Sequence, residues 1–110
     1  MREAKHQGEA IKRFRETGCF CHKLGQNGEP DWLIVYAPGR HVYMEFKTET
    51  GGFTKAQRVR FRELLDLDHE IVLARNYAAA AEAMNALRDN RSVPLRLCVN
   101  YADLGRRRAG

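Results

Sequence analysis

The stretch from residue 31 to residue 47 constrains the fold most. Trp32-Leu33-Ile34-Val35-Tyr36 is an unbroken apolar run of strand length, the pattern of a strand covered on both faces. Ala37-Pro38-Gly39-Arg40 follows as a turn, with proline at its second position and glycine at its third. Val42, Met44 and Phe46 then alternate with Tyr43, Glu45 and Lys47, so the apolar set faces one way and a charged pair shares the other face. The three pieces read as an antiparallel hairpin. If Ala37 pairs with Arg40, Asp31 faces Phe46 and Trp32 faces Glu45, which makes Asp31 and Glu45 diagonal neighbours. A loop one residue longer opposes Asp31 to Lys47. Either register gathers two carboxylates and an ammonium at the open end of the hairpin.

The flanking segments supply layers for this hairpin. Residues 1–17 read as a helix closed by Gly18, with Ala10, Phe14 and Glu3 on its core-facing stripe and Glu9 pointing outward. Residues 19–24 form a short strand candidate with Cys19 and Cys21 on one face, and residues 25–30 are dense in turn formers. Gly51-Gly52 marks a loop, after which Thr54-Lys55-Ala56-Gln57 fits a capping box at a helix start. That helix carries an apolar stripe through Phe61, Leu64 and Leu65 and a basic one through Lys55, Arg58 and Arg62. Residues 71–74 are a further buried strand, and the alanine-rich residues 77–88 favour helix. The order αβββαβα predicts an α/β sandwich around a central mixed sheet of about four strands. Residues 1–93 form this domain. Residues 94–110 are a C-terminal extension, with an edge strand over 95–101 and a basic tail at Arg106-Arg107-Arg108.

Composition narrows the function classes. A chain of 110 residues with 44% apolar and 30% charged residues has the make-up of one globular domain, and its +5 net charge invites an anionic partner. Its longest uncharged apolar runs, residues 32–37 and 77–81, fall far short of the roughly 20 residues that span a bilayer. No membrane association is expected. The opening MREAKHQGEA lacks the apolar core of a secretory signal, so a cytoplasmic address in a bacterial or phage-like setting is expected. Three cysteines without paired spacing argue against a disulfide framework or structural zinc, and His6, His22, His41 and His69 fit no ligand spacing and read as surface or loop residues.

The acids at the hairpin end suit a particular chemistry. Hard divalent cations such as magnesium take carboxylate, carbonyl and water ligands, and two acids with one backbone carbonyl leave positions for water and phosphate. A strand-held lysine beside them can orient or help deprotonate the attacking water and offset charge on the phosphate. Glu3 and Gln57 add polar groups from two helices directed at the same sheet. Taken singly these residues have ordinary explanations. Asp31 suits a turn, Glu45 and Lys47 a solvated pair, Gln57 a cap and Glu3 a first-turn acid. Their convergence from three elements favours a site. Lys23, Lys55, Arg58 and Arg62 are candidate phosphate contacts.

Glu3, Gly28-Glu29-Pro30-Asp31, Glu45-Phe46-Lys47, Gly51-Gly52 and Gln57, in this order and spacing, resemble the VRR-NUC branch of the PD-(D/E)xK nuclease superfamily. The resemblance spans residues 3 to 88. It implies a restriction-endonuclease-like fold and a deoxyribonuclease that depends on magnesium or manganese. Asp31, Glu45 and the Phe46 carbonyl would be metal ligands, with Glu3 as a further one. Lys47 would act on water or phosphate, and Gln57 would support the site. The implied partner is DNA, branched forms such as four-way junctions included, and the stand-alone members of the family imply a homodimer, the commonest symmetric assembly. The competing reading is a catalytically silent DNA-binding module with the same fold, for which the charge and the basic stripes suffice.

Overall fold

The hairpin organises the whole sheet. In the computed structural model, which describes residues 5–105, the order is α1 (His6–Glu16), β1 (Phe20–Lys23), β2 (Trp32–Tyr36), β3 (Arg40–Phe46), α2 (Lys55–Asp66), β4 (Ile71–Ala74) and α3 (Tyr77–Arg88). Glu3 and the basic tail at 106–108 lie outside the described residues. The strands stand in the order β1-β2-β3-β4, antiparallel through β3, with β4 parallel to β3. Helix α2 is the crossover that a parallel step requires. This is the expected four-stranded mixed sheet between helices.

Local chemistry sets the helix ends. At α2 the Gln57 amide nitrogen donates to Thr54 Oγ1 at 3.1 Å, and the Thr54 amide donates back to Gln57 Oε1 at 3.0 Å, so both halves of the capping box form. At α3, Asn76 Oδ1 accepts from the Ala79 amide at 2.8 Å. Alternation along the strands then separates two cores. Cys21, Ile34, Val42, Met44, Phe46 and Val72 face α1 and α3, where Ala10, Phe14, Ala83 and Leu87 close over them. Phe61 of α2 packs on the other face with Ile71, Val99 and Leu104. His6, expected at the surface or in a loop, is half-buried instead, with its Nε2 2.9 Å from the Ala74 carbonyl oxygen.

Three expectations need correction. Strand β2 is not covered on both faces, because α2 packs beside β3 and β4 and leaves Leu33 and Val35 half-buried. The hairpin register is neither of the two anticipated. Tyr36 pairs with Arg40 and Trp32 with Met44, around a three-residue loop in which Gly39 takes φ +69°. Such loops place a glycine in the left-handed region at the third position, which the two-residue turn reading overlooks. The edge strand over 95–101 does not form. Residues Leu95–Leu97 and Tyr101–Leu104 are short 3-10 turns, joined to β4 by a single bridge from Cys98 to Val72 and by the Val99 amide donating to the Ile71 carbonyl at 2.8 Å. Asn100 and Asp103 cap each other's backbone and turn the chain away before a ladder can grow.

Candidate active site

The corrected register tightens the acidic pair. With Trp32 opposite Met44, the preceding Asp31 falls directly beside Glu45 at the open end of the hairpin. The two are laced crosswise: the Asp31 amide donates to Glu45 Oε1 at 3.0 Å, and the Phe46 amide donates to Asp31 Oδ2 at 2.9 Å. Each carboxylate is therefore held by backbone from the opposing strand.

Helix α2 delivers the third partner. Gln57 Nε2 donates to Glu45 Oε2 at 2.8 Å, while Gln57 Oε1 accepts from Lys47 Nζ at 2.9 Å in addition to the Thr54 amide. Lys47 Nζ also lies 3.2 Å from Glu45 Oε2. Gln57 is thus a helix cap and a site residue through the same oxygen. The ring of Phe53 lies under the Lys47 ammonium, 5.5 Å from its centroid, and limits where that group can swing.

Electrostatics mark Glu45 as the strained member. Its carboxylate is 2% exposed, and its pKa is pushed up to about 7, first by burial and then by the neighbouring Asp31 charge; Lys47 and Gln57 pull it back down. Asp31 and Glu45 stand at the floor of an open cleft of about 800 Å³, whose walls come from residues 23–29, Lys47, Thr48, residues 51–54 and Gln57. Among the described residues no group of three or more histidine, cysteine or acidic side chains converges as a dedicated metal cage. Asp31 and Glu45 could take a hard cation at the cleft floor, since such ions commonly use one or two carboxylates and keep several waters.

Of the basic candidates, the structure brings Lys23 alone to the cleft wall. Lys55 and Arg58 are exposed on α2, with Lys55 lining a separate shallow groove on its outer side. Arg62 instead donates to the carbonyls of Leu104 and Gly105, securing the C-terminal turn to α2.

Sequence reasoning missed two supports. Gln7 is buried on α1, accepts from Trp32 Nε1 at 2.9 Å and lines the cleft. Its position one turn before Ile11 on the apolar stripe was the available signal. Arg75 donates to the carbonyls of Thr48 and Gly51, and Asn76 Nδ2 donates to Glu49 Oε1 at 3.0 Å, so the turn after β4 pins the loop after Lys47. Nothing in the local pattern announces that contact, which joins residues far apart in the chain.

An acidic pair and a lysine thus stand at the end of a mixed-sheet hairpin in an α/β fold, under a crossover helix that contributes a glutamine. A solved structure described as a VRR_NUC domain shares that fold, with a TM-score of 0.67 at 21% identity over 76% of this chain and 94% of that one. The restriction-endonuclease-like fold expected from the motifs is therefore the fold observed. No family model matches the sequence, and no curated protein matches it. No helix among the described residues is long and apolar enough to cross a membrane.

Proposed function

We propose that this chain is a divalent-metal-dependent DNA endonuclease, and that its preferred substrate is branched DNA such as a four-way junction. The observation that carries the reading is the interlocked set of Asp31, Glu45, Lys47 and Gln57 at the floor of an open cleft, on the fold of a VRR_NUC domain. Stability alone does not ask for a buried acid beside a second acid, since the neighbouring carboxylate and burial both disfavour its charge.

Asp31 and Glu45 would hold magnesium or manganese, with the Phe46 carbonyl as a further oxygen. A residue in a strand directs its N–H and C=O to the same edge, and the Phe46 amide already points at Asp31. Glu3 would be an additional ligand. The ion would supply Lewis-acid polarisation of the phosphodiester and a more acidic bound water.

The chain's own groups do the positioning. Glu45 and Gln57 restrain Lys47 Nζ from two sides, so its ammonium can donate to a phosphate oxygen with little reorganisation. Gln57 orients both neighbours at once. The products follow from hydrolysis: water's oxygen joins phosphorus, and one ester oxygen leaves as an alcohol. Lys23 on the cleft wall would contact an adjacent phosphate, with Lys55 and Arg58 further out. A homodimer would offer the two copies of the site that symmetric cutting of a junction needs.

The test is cleavage of labelled linear duplex, flap and four-way junction with Mg²⁺ or Mn²⁺ against the same mixtures with EDTA. Metal-dependent products, most abundant on the junction, are expected. DNA binding with no products from any substrate would make the chain a silent binding module and overturn the reading.

A further inference from the structure

Resting on the nuclease reading, the geometry of α1 points to a second phosphate-binding surface: the DNA backbone beyond the scissile phosphate lies in a groove along this helix, held by Lys5, Lys12 and Arg15. These cations, with Gly8 between the first two, follow one another at three- and four-residue steps and so share a single stripe. All three are exposed, and none forms an ion pair with an acid among the described residues, whereas Arg13 on a neighbouring stripe pairs with Glu16 at 3.5 Å.

The stripe borders a groove of about 470 Å³. Gly8 makes its floor. A Cβ placed there would meet no atom within 4 Å, so packing does not require a glycine in this helix interior, where glycine is disfavoured. The missing side chain leaves room for a ligand to approach the helix backbone between Lys5 and Lys12. Arg15 sits over the Trp32 ring, 5.6 Å from its centroid, which holds the guanidinium against the groove wall.

The groove adjoins the candidate site cleft. Gln7 lines both, and its hydrogen bond with Trp32 forms the partition between them. Lys23, on the cleft wall, pairs in register with Trp32 and stands at the same junction. A backbone leaving Asp31 and Glu45 over Gln7 would meet the stripe of Lys5, Lys12 and Arg15. That run covers about 15 Å of helix. The basic stripe on α2 has no comparable link, because Arg62 is engaged with the C-terminal turn and Lys55 faces a different groove.

The experiment is fluorescence anisotropy of labelled duplex and junction DNA in EDTA across a salt series, with thermal melts to verify folding. Replacing Lys5, Lys12 and Arg15 together by alanine is expected to lower the slope of log affinity against log salt by about 2.7 and to weaken binding at least about tenfold at moderate salt. Gly8→Leu, which fills the floor without changing charge, is expected to weaken binding with the slope nearly unchanged. A triple variant that binds with wild-type affinity and slope, while the wild type still cleaves DNA with metal, overturns this inference and leaves the nuclease reading intact. A wild type that neither binds nor cleaves DNA overturns both.

Discussion

Glu45 concentrates the electrostatic tension of the site, and its titration has a readable sign. With its pKa raised from 4.5 to about 7 by burial and by Asp31, the folded chain holds a proton between those values that the unfolded chain has released. Its contribution favours folding most below the ordinary value and is lost as pH rises through about 7, a swing on the order of 3 kcal/mol. In metal-free protein, the stability of wild type relative to Glu45→Gln should therefore fall between about pH 5 and about pH 8, as measured by denaturant titration. A difference that stays flat across this range would contradict the assignment. The alternation of residues 42–47 announced that Glu45 and Lys47 share a face, but not that Glu45 would be buried. That depends on Gln57, which arrives from another element. Gln57 itself was named twice, as a cap and as a candidate site residue, and its Oε1 accepts from both the Thr54 amide and Lys47 Nζ.

At the scale of elements, the loop between β1 and β2 is held against α2 by a glycine. Gly28 has φ +88°, and a Cβ there would lie 2.9 Å from the Ala56 carbonyl oxygen. The neighbour is backbone in the first turn of α2, so it cannot swing aside. Gly28→Ala should cost about 2 kcal/mol, read as a lower urea midpoint at unchanged slope. Cleavage should fall with it, because residues 25–29 wall the cleft and Ala56 adjoins Gln57. A midpoint equal to wild type would show that the loop does not bear on α2. The elements themselves were largely legible: α2 begins at the expected capping box, and the alanine-rich residues 77–88 form α3. The register was not, because a shift of one residue in the turn leaves the apolar pattern intelligible. That shift decides whether Asp31 stands diagonal to Glu45 or beside it.

Across the whole molecule, the surplus of positive charge coexists with a negative pocket, and the chain that follows α3 enters both cores, Val93 and Leu97 in the first and Val99 and Leu104 in the second. Leu104 is 1% exposed against Phe61, Ile71 and Val99, and Tyr101 Oη donates to Asp66 at 2.7 Å. Leu104→Ala should destabilise the fold by about 2 to 5 kcal/mol, seen as a lower melting temperature. A loss under about 0.5 kcal/mol, usual for a surface position, would mark this segment as an appendage. Sequence patterning did not show this packing, because two short turns and a single bridge leave no periodic signature. In the proposed nuclease, register, cap and sandwich would hold Asp31 and Lys47 at one cleft for chemistry. The direct test is the single-turnover cleavage rate of a labelled four-way junction in Mg²⁺ for wild type, Asp31→Asn and Lys47→Ala, each verified as folded. Both variants are predicted to lose about 100-fold or more in rate. Rates within about twofold of wild type in either variant would contradict the claim.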